Sequence, residues 1–166
     1  MEQIKNTPTG TSAGLALPRQ TNPPCRILVV DEDGTARRLN VQGLRRQGYE
    51  VGIAEDGHAA WLELQTNRYH LVITEHELPG LSGLGLIKKL RQANMRLPVI
   101  IAITTMPGWQ SSAYPWLLHA NRIFKPYTVT SLAGLVKNVL HTTNPLAMEL
   151  RQQQMDPASR QSAVAS

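Results

Sequence analysis

Leu71-Val72-Ile73-Thr74-Glu75-His76-Glu77-Leu78-Pro79-Gly80 is an apolar run that ends in an acidic turn. Four β-prone residues followed by a carboxylate, a proline and a glycine predict a buried strand that delivers a charge to the rim of a sheet. Comparable runs lie on both sides of it. Arg26 to Val30 reads as a fully buried strand, Tyr49 to Ala54 as a second, Val99 to Ile103 as a strongly β-prone fourth and Arg122 to Phe124 as a brief fifth.

Helical patterns fill the intervals. A helix from about Thr35 to Gln47 carries Leu39, Val41 and Leu44 as its apolar stripe, leaves Arg37, Arg38, Arg45 and Arg46 solvated, and stops at Gly48. A second follows Glu55-Asp56-Gly57 with Ala59, Ala60, Leu62 and Leu64, and a third is capped by Ser82 and contains Leu84, Leu86, Ile87 and Leu90. Pro107 to His119 predicts a short or irregular fourth helix, because Pro115 breaks or kinks any helix that crosses it. Thr128 to Leu140 closes the pattern, with Leu132, Leu135, Val136 and Val139 inward.

Strands alternating with helices imply an α/β fold with an open parallel sheet and helices on both faces, since parallel strands need right-handed crossovers. Ligands of such sheets sit beyond the carboxyl ends of the strands. Asp31, Glu32, Glu75, Thr104 and Lys125 all fall directly after predicted strands, so the architecture gathers them at one rim.

The 166 residues allow one domain, with 42% hydrophobic residues to supply its core. Residues 1–24 read as a flexible leader, 25–141 as the folded domain, and 142–166 as a flexible or partly helical tail. No run approaches the roughly 18 apolar residues of a membrane span and no signal-peptide pattern opens the chain, so a cytoplasmic protein without a membrane partner is expected. The lone Cys25 forms no internal disulfide and reads as an incidental thiol. The net charge of +5 is spread over several helices with few aromatics, and nucleic-acid binding is not expected. Of the 12 acids, five (Asp31, Glu32, Asp33, Glu75 and Glu77) cluster after two apolar runs.

From Arg26 to about Leu140 the chain resembles the receiver domain of bacterial two-component response regulators. The resemblance rests on Ile27-Leu28-Val29-Val30-Asp31-Glu32-Asp33, Gly48-Tyr49-Glu50-Val51, Ala54-Glu55-Asp56-Gly57-His58-Ala59-Ala60, Leu78-Pro79-Gly80-Leu81-Ser82-Gly83 and Lys125-Pro126-Tyr127. It implies a flavodoxin-like, doubly wound parallel five-stranded sheet of order 2-1-3-4-5. At its rim an aspartate takes a phosphoryl group from a sensor histidine kinase or a phosphotransfer protein. It further implies that Asp31 and Glu32 hold Mg²⁺ with help from position Glu77, where the family supplies a backbone carbonyl. Lys125 matches the phosphate-contacting lysine and Thr104 most nearly the switching hydroxyl, although counting from Pro98 that hydroxyl falls on Ile103.

The phosphoacceptor position holds Glu75. Its extra methylene pushes the carboxylate out by roughly 1.5 Å, and misplacements near ~1 Å cost on the order of 10²-fold in rate. The same reach carries a fixed negative charge toward Lys125 and Thr104, an incomplete copy of a phosphoryl group with its roughly −1.5 to −2 charge and three acceptor oxygens. Arg122 stands where the family has its rotating aromatic, and Trp109 and Trp116 mark an unusual surface after the fourth strand.

The expectation is a stand-alone pseudo-receiver that binds signalling proteins rather than an enzyme, with Lys125 paired to Glu75. The rival expectation is a working response regulator that catalyses its own phosphorylation from a phospho-histidine donor, on Glu75 or rescued by Asp31 or Asp33. A nucleotide-binding flavodoxin-like domain lacks support, because acids rather than a glycine-rich loop follow the first strand. His70 and His76 lack metal-ligand spacing and are assigned no role.

Overall fold

The computed structural model describes residues 24–104 and 120–143. Five strands, β1 (Arg26–Val30), β2 (Glu50–Ala54), β3 (Leu71–Glu75), β4 (Val99–Ile103) and β5 (Asn121–Phe124), form one parallel sheet in the order β2-β1-β3-β4-β5. Helices α1 (Gly34–Arg46), α2 (Gly57–Thr66), α3 (Gly83–Gln92) and α4 (Val129–Thr143) cover it. The expected leader, the fourth helical stretch with Trp109 and Trp116, and the tail beyond Thr143 lie outside the described residues.

Both faces of the sheet are covered, which is why its central strands read as unbroken apolar runs rather than alternating ones. Successive side chains point to opposite faces. Ile27, Val29, Leu71, Ile73, Ile100 and Ala102 pack with Leu44, Leu132 and Val136 of α1 and α4. Leu28, Val30, Val72, Val99, Ile101 and Ile103 pack with Ala60, Leu86, Ile87 and Leu90 of α2 and α3.

Every helix turns an i, i+3, i+4, i+7 stripe of buried or partly buried residues inward, the spacing that keeps four side chains on one face. In α2, α3 and α4 this stripe is Gly57, Ala60, Trp61 and Leu64; Gly83, Leu86, Ile87 and Leu90; and Leu132, Leu135, Val136 and Val139. In α1 it is Arg37, Asn40, Val41 and Leu44, which corrects two expectations. Leu39 is 54% exposed, whereas the Arg37 side chain, read as solvated, is only 13% exposed. Leu62, one position off the α2 stripe, likewise faces solvent.

The helix starts are fixed by side chains that accept otherwise unpaired amide protons. Asp33 accepts from Thr35 N at 2.7 Å, Asp56 from Ala59 N at 2.8 Å and Ser82, as expected, from Gly85 N at 3.1 Å. Gly48 follows α1 with φ +88°, a left-handed conformation that glycine adopts without a Cβ penalty.

Candidate functional site

The parallel register sets the carboxyl ends of β1, β3, β4 and β5 side by side. Val30 is level with Thr74, Glu75 with Ala102, and Ile103 with Phe124. Asp31, Glu75, Thr104 and Lys125 therefore share one rim. Backbone bonds fix the loops that carry them: His76 N donates to Ala102 O at 2.8 Å, Gly83 N to His76 O at 3.1 Å and Lys125 N to Ile103 O at 2.8 Å.

Lys125 Nζ donates to Glu75 Oε1 at 2.5 Å and lies 3.6 Å from Asp31 Oδ2. Only 4% of the Asp31 side chain, 12% of Glu75 and 22% of Lys125 is exposed, so the three charges interact with little solvent screening. The expected Lys125–Glu75 pair is present, and Asp31 is its third member.

Each neighbour of this cluster has a holding role. Asp31 Oδ1 accepts from Asp33 N at 2.9 Å. The Arg37 guanidinium donates to the carbonyls of Asp31 and Glu32 and pairs with Glu55 at 3.0 Å, tying the loop after β1 to the turn after β2. Buried Asn40 donates to the Tyr127 hydroxyl at 3.0 Å, which anchors the Lys125-Pro126-Tyr127 turn on α1. Sequence reading missed Arg37 and Asn40. Their signal was the stripe spacing with Val41 and Leu44.

Two carboxylates share one ammonium, and burial is the largest influence on the ionisation of Glu75 and Lys125. Burial raises the Glu75 carboxyl above its ordinary range, and the nearby Asp31 charge adds to the rise. The Lys125 hydrogen bond and charge oppose both and do not cancel them. For Lys125, burial acts to lower the value, but the Glu75 hydrogen bond and the Asp31 and Glu75 charges raise it on balance. Burial also pushes the Tyr127 phenol upward.

The remaining sequence-predicted residues stand apart from this cluster. The Glu77 side chain is 76% exposed and lies 3.9 Å from His76, and Glu32 is exposed. Thr104 is exposed and lines a groove of about 370 Å³ with Asp33, Lys125 and Tyr127, but among the described residues it makes no hydrogen bond to Glu75 or Lys125. Ile103, where the family count places the switching hydroxyl, is wholly buried in the layer against α2 and α3. Arg122 is on the solvent-exposed part of β5.

Among the described residues no three His, Cys, Asp or Glu side chains form a group able to hold a metal ion. Mg²⁺ demands a near-ideal octahedron of oxygens at about 2.0–2.1 Å. Of the acids assigned to it, only Asp31 points into the cluster, and the Lys125 ammonium already contacts Glu75 and lies 3.6 Å from Asp31. The side chains as arranged do not fit a divalent ion.

A family model for the response regulator receiver domain matches residues 27–111. The chain is 35% identical over 123 residues to the chemotaxis protein CheY1 of Helicobacter pylori, a match that covers 72% of this chain and 99% of that one. The solved response regulator TrrA of Thermotoga maritima, determined in complex with Mg²⁺ and BeF, is 28% identical with a TM-score of 0.60, covering 69% of this chain and 98% of its own. A Francisella response-regulator receiver domain superposes with a TM-score of 0.64 at 24% identity, over 72% of this chain and 99% of that one. With the sheet order, the rim acids and the lysine-proline-tyrosine turn in place, the chain belongs to the response regulator receiver domain family of two-component systems.

Proposed function

We propose that this receiver domain is impaired as a phosphoryl acceptor and works in two-component signalling by protein contact, with Glu75 as a fixed charge in place of a reversible phosphoryl group. The observation that carries the reading is the 2.5 Å hydrogen bond from Lys125 to Glu75. The longer side chain places its carboxylate on the lysine, and there the extra methylene misaligns it for in-line attack. Buried Ile103 leaves no hydroxyl at the position counted for the switch, and Arg122 replaces the coupled aromatic, so conformational relay from the rim is weakened too. A partner would read a surface held in one state rather than toggled between two. A sensor kinase, a phosphotransfer protein or another signalling protein fits that role, and Mg²⁺ has no part in it.

Incubation of the wild type, Glu75→Asp and Glu75→Gln with a radiolabelled small-molecule phosphodonor and Mg²⁺ tests this. The expected result is label on Glu75→Asp alone, at least about 10²-fold above wild type, which is the order of rate lost to a ~1 Å misplacement. Stoichiometric, base-labile label on Glu75 in the wild type would overturn the proposal in favour of a working response regulator.

A further inference from the structure

We infer that the Lys125 ammonium is the resident cation of the rim pocket and that it excludes the divalent metal for which an acidic rim is otherwise suited. The Asp31 and Glu75 carboxylates converge on one cation, Lys125 Nζ, 2.5 Å from Glu75 Oε1 and 3.6 Å from Asp31 Oδ2. A divalent ion placed against both carboxylates would stand within about 4 Å of that ammonium. At that separation and an effective dielectric near ~20, repulsion between the double and the single positive charge weakens binding by roughly 10⁶-fold.

The ammonium has no easy retreat. Its backbone N–H is bonded to Ile103 O at 2.8 Å, and two residues on, Tyr127 is tied to buried Asn40 at 3.0 Å. Nor do the other acids offer compensating ligands. Asp33 has a carboxylate oxygen committed to Thr35 N at 2.7 Å, and the Glu77 side chain is 76% exposed beside His76. Glu75 is the carboxylate that the lysine holds, so the proposed loss of phosphoryl acceptance and the proposed exclusion of the metal meet at one residue pair. The inference is separable from the reading of phosphoryl chemistry, because metal affinity is measured without a phosphodonor.

The test is calorimetric titration of Mg²⁺ into the full chain as wild type, Lys125→Met, and Lys125→Met combined with Asp31→Asn, with circular dichroism to verify folding. The expected result is no saturable binding by the wild type and one Mg²⁺ per chain in Lys125→Met, at an affinity about 100-fold higher or more. Adding Asp31→Asn is expected to abolish it. Stoichiometric wild-type binding within about tenfold of the Lys125→Met affinity would overturn the inference, as would a folded Lys125→Met chain that binds no metal. Should Lys125→Met fail to fold, the wild type decides alone. Its melting temperature is expected to be unmoved by Mg²⁺, and a saturable rise that Asp31→Asn removes would overturn the inference.

Discussion

Replacing Lys125 with methionine is expected to destabilise the domain by about 3 kcal/mol at neutral pH, the order seen when one partner of a largely buried ion pair is removed. The substitution keeps the apolar stem and removes the one ammonium shared by Asp31 and Glu75, whose side chains are 4% and 12% exposed. The two carboxylates then face each other with little solvent to screen them. Because the wild-type Glu75 value is already raised by burial and by Asp31, loss of the ammonium raises it further, and a proton taken up by Glu75 does part of the work of the missing cation. The penalty is therefore expected to shrink as pH falls through the Glu75 value. Urea unfolding across a pH series reads this directly as a pH-dependent midpoint at constant slope.

The wild type has two linked pH windows. The Lys125 value is raised above its ordinary 10.5, so its contribution is fully present below 10.5 and is lost as pH rises through the folded value. The Glu75 value is raised above 4.5, so the stability linked to its protonation is fully present below 4.5 and is lost as pH rises through the folded value. Glu75→Gln, which keeps an acceptor for Lys125 and removes the repulsion with Asp31, is accordingly expected to change stability by less than about 1 kcal/mol at neutral pH. A Glu75→Gln penalty as large as that of Lys125→Met would mean that the carboxylate, rather than the ammonium, is the scarce charge.

Gly83→Ala is the second large expected effect, at about 3 kcal/mol of destabilisation, near the upper end for forcing atoms into a packed interior. A Cβ there would lie 2.0 Å from the Glu75 carbonyl oxygen and 3.1 Å from Thr74 Oγ1. The first is a backbone atom of the strand that delivers Glu75, so relief requires moving α3 or the rim itself. Gly134→Ala in α4 is the matched control. Nothing lies within 4 Å of the place a Cβ would take at Gly134, and alanine there is expected to stabilise the helix by roughly 0.5–1 kcal/mol. Thermal melts of both variants separate a steric cost at the rim from ordinary helix propensity.

The strands were legible because a sheet covered on both faces forces continuous apolar runs, and Leu71 to Thr74, entirely buried, is such a run. Placing carboxyl ends together by topology was enough to bring Glu75, Asp31 and Lys125 into one cluster. Side-chain direction in the loops was less accessible. Spacing alone does not say that Glu77 turns toward solvent or that Thr104 misses the Glu75–Lys125 pair. On α1, hydrophobicity favoured Leu39 over Arg37 and Asn40, yet the helical period selects the latter two. Arg37 is accepted there because its guanidinium finds the Asp31 carbonyl and Glu55, and Asn40 because it finds Tyr127. Those partners come from other elements of the fold, so the local pattern carries no sign of them.

The central claim is that Glu75 is a lysine-held charge in a pocket that takes neither metal nor phosphoryl. It is tested most directly by amide NMR spectra of the wild type titrated with Mg²⁺ and fluoroberyllate together. The expected result is no saturable movement of the Glu75, Thr104 and Lys125 resonances, with clear movement in Glu75→Asp. A stoichiometric, saturable shift at those three residues in the wild type would contradict the claim.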